Sequence, residues 1–404
     1  MGVTAADIAA ATSRLAGRIV RTPLVPALAL SARLGAEVHL KLETLHRTGS
    51  FKERGALNRL LALSEEERAR GVVTMSAGNH AQAVAYHAAR LGIAATVVMP
   101  RFTPNAKVAR TAAHGATVVL EGETLGEAAA HALALAAREG RTVIHPYDDD
   151  LVIAGQGTTG AEMLADEPAL EMLVIPVGGG GLIAGCAVAA HAQNPAVQVI
   201  GVEVEGWTAA AQRLRGEPVR TGGATIAEGI AVNDVGERPF AIIREHVAEV
   251  LVVSEAAIEA AIMLLAEEAK LVAEGAGAAG VAALLAHPDR FAGRRVGTIL
   301  CGGNVDVRLL ANVLLRGLAR DGRMLRLALD IADRPGVLAE VAGRIATAGG
   351  NIIEVTHQRL FAAPSVKAAE VDLVVEARDR AHGEAILAAL EGAAFHVKRL
   401  PSGV

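Results

Sequence analysis

Short apolar runs alternate with alanine-rich stretches of helical length from about residue 36 to residue 305. The runs are Ala36–Leu42, Gly71–Ser76, Ala94–Pro100, Ala116–Glu121, Met172–Val177, Gln198–Val204 and Val296–Cys301. Each suits a strand buried on both faces, and stretches such as Asn79–Leu91 and Glu255–Lys270 suit the helices between them. The alternation predicts an α/β fold, a mostly parallel sheet covered by helices. Ligands of such sheets sit beyond the carboxyl ends of the strands, so chemistry is sought in the strand-to-helix turns.

The pattern changes after Arg316–Arg323, which reads as a polar, glycine-containing connector. Leu325, Leu327, Leu329 and Ile331 alternate with other residues, as in a half-buried strand. Asp333-Arg334-Pro335-Gly336 predicts a turn, Val337–Ala348 an amphipathic helix, and Gly349-Gly350-Asn351 its end. Strands at Ile352–Leu360 and Glu370–Glu376, a helix at Arg380–Glu391 and a strand near Phe395–Leu400 follow. The order βαββαβ is a ferredoxin-like split unit, a separate small domain over 325–404.

The chain has 404 residues, 52% of them apolar and 21% charged, with a net charge of −5 and only six Phe, two Tyr and one Trp. That balance suits a soluble two- or three-domain protein and lacks the basic footprint and stacking aromatics of a nucleic-acid binder. Two cysteines, Cys186 and Cys301, make neither a disulfide framework nor a zinc spacing. The uncharged stretch from Leu173 to Ala190 is cut by Pro176 and four successive glycines, so it reads as strand, loop and helix rather than a membrane span. With no secretory signal pattern near Met1, a cytoplasmic protein is expected.

Four turns carry candidate chemistry. Ser50-Phe51-Lys52-Glu53-Arg54-Gly55-Ala56 resembles a capping box, Ser50 with Glu53, opening a helix. Lys52 in its first turn would meet the positive end of the helix dipole, which favours a neutral amine. Taken alone, the segment favours a solvated lysine beside a phosphate or acid. Ser76-Ala77-Gly78-Asn79-His80 offers backbone N–H groups to a carboxylate or phosphate, although an ordinary helix cap explains it as well. Gly178-Gly179-Gly180-Gly181, between a strand and a helix, can wrap a phosphate. Gly179, Gly181 and Ala184 also fit a dinucleotide fingerprint, with Glu203 where a ribose-binding acid would stand. Cys301-Gly302-Gly303-Asn304 ends a strand, and Cys301 is either a small buried hydrophobe or a neutral S–H donor.

Together with Lys41-Leu42-Glu43, Arg47-Thr48-Gly49 and Glu274-Gly275-Ala276-Gly277, these segments resemble, in order, those of the fold type II (tryptophan synthase β-like) pyridoxal-phosphate enzymes. Among those they are most similar to the threonine ammonia-lyases (threonine dehydratases). The resemblance covers residues ~4–320 and implies a catalytic domain over 1–320 made of two α/β subdomains, the smaller one, about 45–150, inserted in the larger. It implies pyridoxal 5′-phosphate as cofactor, joined covalently to Lys52, which then serves as the base on the substrate Cα–H. Gly178, Gly179, Gly180 and Gly181 would hold the phosphate, and Phe51, Asn79, Glu274 and Cys301 would contact the ring. Ser76, Ala77, Gly78, Asn79 and His80 would receive the substrate carboxylate, His80 itself being structural.

The implied reaction takes L-threonine to 2-oxobutanoate and ammonia, and L-serine to pyruvate, in a homotetramer. The tail resembles an ACT domain, a module for amino-acid effectors such as isoleucine or valine bound between paired copies. Asp333, Pro335, Gly349, Gly350 and Asn351 would mark the ligand-facing turn. Two departures narrow the choice. Serine racemases of this fold carry a second serine where Ala77 stands, so racemisation is disfavoured. Their divalent metal site pairs a glutamate, here Glu203, with an aspartate, here Ala209, so no metal is expected. Other readings are a serine or 3-hydroxyaspartate lyase, a nicotinamide-dependent dehydrogenase, and a catalytically dead amino-acid sensor.

Overall fold

The apolar runs become strands of two parallel sheets in the computed structural model, which describes residues 2–358, 368–393 and 395–400. Along the chain come β1 (Leu24–Pro26) and β2 (Glu37–Lys41), then β3 (Val72–Met75), β4 (Ala95–Met99), β5 (Thr117–Leu120) and β6 (Thr142–Val143). The strands β7 (Met172–Pro176), β8 (Gln198–Val204), β9 (Glu249–Val253) and β10 (Arg295–Ile299) follow. One sheet runs β1-β2-β10-β7-β8-β9, parallel except for β1; the other, wholly parallel, runs β5-β4-β3-β6 and is inserted between β2 and β7. β3 shows why these runs read as continuously apolar: Val72 packs with Leu60, Val84 and Val97, while Val73 packs on the other face with Val98, Ala132 and Leu135. β1 and β6, of three and two residues, are too short to leave a pattern in the sequence.

These strands belong to a unit comprising Met1–Val305; a second comprises Asp306–Val404. The second opens with the helix Val307–Arg320, so the polar connector is shorter than its composition suggests, with Arg316–Arg320 still helical. Strands β11 (Met324–Ala332), β12 (Asn351–Gln358), β13 (Ala368–Glu376) and β14 (His396–Arg399) form an antiparallel sheet in the order β12-β13-β11-β14. Helices Val337–Thr347 and Arg380–Glu391 bury Val341, Ile345, Ile386 and Leu390 against Leu327, Leu329, Val371 and Leu373. The order is βαββαβ; Arg359 and Leu360, expected to end β12, lie outside the described residues.

Three helices of the first unit meet through glycine. The helix Asp150–Asp166 packs against both Lys52–Leu61 and Gly181–Gln193. A Cβ on Gly155 would lie 2.7 Å from the Gly55 Cα and 2.8 Å from the Arg54 carbonyl, and one on Gly185 would lie 2.3 Å from the Ile153 carbonyl. Both neighbours are backbone and cannot swing aside. The approach fixes the two helices that begin at the lysine and glycine-loop motifs. Gly155→Ala is expected to lower the unfolding free energy by about 1–3 kcal/mol through overpacking, read from urea unfolding; an unchanged midpoint would show that the contact has slack.

Candidate active site

Four motifs follow carboxyl ends of parallel strands: the lysine segment after β2, Ser76–Gly78 after β3, the glycines after β7, and Cys301–Asn304 after β10. Since β2, β10 and β7 are neighbours in the sheet, three of the four start side by side.

The lysine segment is stitched to the end of β10 by an antiparallel bridge between Ser50 and Gly302 and a 3.0 Å bond from the Phe51 N–H to the Cys301 carbonyl. This corrects the expected capping box. Ser50 is drawn into the bridge, and the helix starts at Lys52 with no side-chain cap. Its hydroxyl is buried without a protein partner among the described residues. Glu53 turns instead to the Thr48 N–H and to His87 Nε2. Burial pushes the Glu53 carboxyl up, but these donors outweigh it and hold the group below its ordinary value.

Lys52 Nζ donates to the Pro146 carbonyl at 2.7 Å and lies 5.0 Å from the Phe51 ring centroid. Burial pulls the amine down to about 8, with Cys301 and Glu274 acting in the other direction. Cys301 itself is buried, and desolvation pushes its thiol far above the ordinary range. It therefore carries no charge near neutral pH, and Glu274 is the acid whose charge reaches the amine. Burial also raises Glu274, to about 6.

Asn79 Nδ2 donates to Glu274 Oε1 at 2.7 Å, while its Oδ1 accepts from Asn304 Nδ2 at 2.8 Å. Asn304 Nδ2 also donates to the Thr48 carbonyl at 2.6 Å, tying β10, the lysine segment and the Asn79 helix together. Asn304 stands in a recognisable motif, but nothing local assigns it this part. Ser76 Oγ accepts from the Gly78 N–H at 3.2 Å. His80 points away: Nε2 pairs with the Ile144 carbonyl at 3.0 Å, and burial pulls the ring down to about 3. It offers a ligand only its backbone N–H.

The glycine loop lies against the segment that takes the lysine. A Cβ on Gly179 would sit 2.2 Å from the Tyr147 ring, next in sequence to Pro146, and one on Gly178 would sit 3.1 Å from the Gly229 carbonyl. Gly180 has φ +88°, left-handed, where L side chains are strained. The Gly179 and Gly180 carbonyls accept from Gly236 and Ala184, and the first N–H groups of the helix that follows have no intrahelical acceptor. The loop is thus a cradle of donors that side chains would fill, suited to a phosphate. With a depressed amine, a buried hydroxyl without a partner and a neutral thiol beside it, the donor set fits pyridoxal phosphate. Lys52 and the loop would hold it at its two ends, with Asn79, Glu274, Phe51 and Cys301 between.

Glu203 does not serve a ribose. Its carboxylate accepts the Ala210 and Ala211 N–H groups at 2.7 and 3.0 Å, capping the short helix Ala209–Leu214, and burial raises it to about 7. Among the described residues, Glu37, His39 and Glu167 gather at the start of β2, where Arg295 pairs with Glu37 at 2.7 Å and Glu167 at 3.6 Å.

Beneath Lys52 lies a group the sequence does not announce. Arg54, fully buried, donates to both Glu43 oxygens at 2.7 and 2.8 Å and to both Glu162 oxygens at 2.8 Å. Lys41, also fully buried, donates to Glu162 at 2.6 Å and to the Thr22 carbonyl at 2.7 Å. Thr22 Oγ1 and His46 Nε2 complete Glu43 at 2.6 and 2.9 Å. Burial raises Glu43, but Arg54 and His46 outweigh it and hold the carboxyl well below its usual range.

The positions expected to face an effector do not form one turn. Asp333 and Pro335 precede the helix Val337–Thr347, whereas Gly349, Gly350 and Asn351 follow it. Eleven residues at 1.5 Å each put ~16 Å between the two groups. Gly350 faces the core, where a Cβ would meet Ile386 at 2.8 Å, and Asn351 Nδ2 donates to Glu376 Oε2 at 3.1 Å.

Strand ends, a buried amine and a phosphate cradle define an enzyme of the pyridoxal class. The sequence model of the family described as pyridoxal-phosphate dependent enzyme matches residues 15–302. The L-threonine ammonia-lyase of Thermotoga maritima is 43% identical over 399 residues, 98% of this chain and 99% of its own. Among solved structures, the threonine deaminase of T.th. is 43% identical, with a TM-score of 0.71 over 75% of this chain and 99% of that one. Maize serine racemase is 32% identical, with a TM-score of 0.73 over 79% and 100%. The chain belongs to the pyridoxal-phosphate-dependent enzyme family, and its first unit has the α/β architecture of fold type II. No helix among the described residues is long and apolar enough to cross a membrane.

The lysine environment gives one expected outcome. In protein freed of cofactor, acylation of Lys52 should rise with a midpoint near 8, against ~10.4 for an unperturbed lysine, because only the neutral amine reacts. Mass spectrometry across pH 6 to 11, on the order of one point per half unit, measures it; a midpoint above 10 would show that Glu274 dominates. The ion group gives another. Arg54→Met should cost roughly 3–5 kcal/mol by stranding two buried carboxylates, and adding Glu43→Gln should restore part of it in denaturant unfolding.

Proposed function

We propose that this chain is a threonine ammonia-lyase, converting L-threonine to 2-oxobutanoate and ammonia and L-serine to pyruvate. The observation that carries the reading is a buried, depressed Lys52 amine, joined through Pro146 and Tyr147 to the glycine cradle. Bound there, pyridoxal phosphate supplies an aldehyde that takes an amine and a ring that withdraws electrons from the adjoining Cα. The chain supplies the rest. N–H groups along Ser76–His80 hold the substrate carboxylate, and Lys52, neutral for much of the time near pH 8, takes the Cα proton.

Cys301 stays a thiol, so it would place no full charge beside a bound pyridoxal ring, which suits loss of the β-hydroxyl. Ala77 has no proton to exchange and could not serve as the second base that the resemblance gives to racemases. The 43% identity with an L-threonine ammonia-lyase along 98% of this chain supports threonine as the substrate. The second unit we read as an ACT domain; its βαββαβ order supports this. A branched-chain effector there would need two copies, because ~16 Å of helix separates Asp333 and Pro335 from Gly349–Asn351 within one. A homotetramer rests on the resemblance.

Turnover of L-threonine, L-serine and 3-hydroxyaspartate by the purified holoenzyme tests the reading, with and without isoleucine. The expected result is a kcat/KM highest for threonine, lowered by isoleucine, and a fall of on the order of 10³ or more in Lys52→Ala, in line with loss of a positioned base. Preference for hydroxyaspartate, or activity surviving in Lys52→Ala, would sink it; indifference to isoleucine would remove the effector role.

A further inference from the structure

The large sheet has a second end, where β2 and β10 begin, and it gathers chemistry that the reaction does not use. Glu37 opens β2 and is paired in register with Arg295, which opens β10. His39 lies two residues on and shares the face of the strand with Glu37. Glu167 caps the end of the helix Asp150–Asp166 and reaches the same place. β2 is five residues long, which puts this group ~13 Å from the strand end that leads to Lys52.

His39 is the unusual member. Its residue is 7% exposed, and its Nδ1 is buried with no partner among the described residues. Its Nε2 is aimed between two carboxylates, 3.8 Å from Glu37 Oε1 and 3.9 Å from Glu167 Oε2, too far for a hydrogen bond to either. The buried pairs His46–Glu43 and His87–Glu53 close to 2.9 and 3.0 Å, so His39 stands nearly an ångström further off from both its acids. Arg295 does not use the oxygens turned to His39. Its Nε takes Glu37 Oε2 at 2.7 Å, and its Nη1 approaches Glu167 Oε1 at 3.6 Å, an oxygen that also accepts the Ala169 N–H at 3.2 Å. Two carboxylates against one guanidinium leave the group one positive charge short.

We propose that Glu37, His39 and Glu167 bind a divalent transition cation of the zinc type, through His39 Nε2 and one oxygen of each carboxylate. Ligand atoms ~2.0–2.2 Å from one zinc stand ~3.4 Å apart at tetrahedral angles, and wider as the angle opens. The three atoms here lie within 4.8 Å of one another, and the Glu37 side chain, half exposed, is free to swing inward. An imidazole with carboxylates favours such an ion over magnesium. The cation would tie the start of β2 to the end of the helix that carries Glu162, a structural part and not a catalytic one. It is distinct from Glu203, whose oxygens are taken by helix N–H groups.

The test is calorimetric titration of the holoenzyme with zinc chloride in a buffer that does not chelate it, with and without excess magnesium. Expected is one saturable ion per chain, undisturbed by magnesium. Binding should be at least ~tenfold weaker in His39→Gln and in Glu167→Gln, since loss of a ligand costs no less than loss of a group that orients one. Glu167→Gln, at a helix end, keeps the result readable if His39→Gln fails to fold. His191 and His246, whose rings lie 4.9 Å apart, are the rival place for a surface zinc, so His246→Gln should bind as the wild type does. No saturable uptake, unchanged affinity in Glu167→Gln, displacement by magnesium, or a loss confined to His246→Gln would overturn the proposal. The titration reads ion uptake and not turnover, so the lyase reading stands or falls separately.

Discussion

Arg54, fully buried, holds four carboxylate oxygens, and the position of the lysine depends on it. A guanidinium with five N–H donors can grip two carboxylates in a plane, which an ammonium cannot. Its partners come from two places: Glu43 just after β2, and Glu162 and Thr158 on the helix Asp150–Asp166. Lys41 adds a second positive charge, so two cations face two carboxylates. Such a group is weak evidence for net stability, because desolvation consumes most of the attraction. Its contribution is directional. Every misplacement of the Lys52 helix strands a charge, so the first turn of that helix has one acceptable position.

The same burial works in opposite senses on neighbouring residues of that turn. Arg54 meets carboxylates and stays charged, Glu53 meets donors and stays charged, whereas Lys52 meets a carbonyl and a ring and moves toward neutrality. Three consecutive ionisable residues thus end in three electrostatic states, set by what each touches. A helix start is suited to this because its side chains fan out at ~100° intervals, and because its dipole assists the neutral amine.

How much of this is legible in the sequence follows how local each signal is. The glycine loop is readable because four side-chain-free residues between a strand and a helix have few other uses, and the fold lays it at a strand end as expected. Lys52 is ambiguous alone: burial depresses its amine while Glu274 and Cys301 oppose the shift, and these groups and Pro146 lie 94 to 249 positions away. The Ser50–Glu53 capping box fails because a bridge to Gly302 outweighs a local cap, and neither partner of that bridge advertises the other. Arg54 looks like a solvated arginine in a helical turn. Charge pairing with Glu162, 108 positions later, leaves no periodic trace. The effector positions group together because glycine and proline turns bracket one helix in sequence; the length of that helix keeps them apart.

What distinguishes this site from others of the same architecture is decided by what two small residues withhold. Ala77 carries no proton donor, and Cys301, kept neutral by burial, would put no full charge beside a bound pyridoxal ring. Each absence would close a route: Ala77 offers no group to move a second proton, and a neutral Cys301 offers no ion to strengthen the electron withdrawal that a bound pyridoxal ring supplies. Specificity of reaction therefore rests on desolvation and on a missing hydroxyl as much as on the lysine, and both depend on the strand ends being packed closely enough to keep water out.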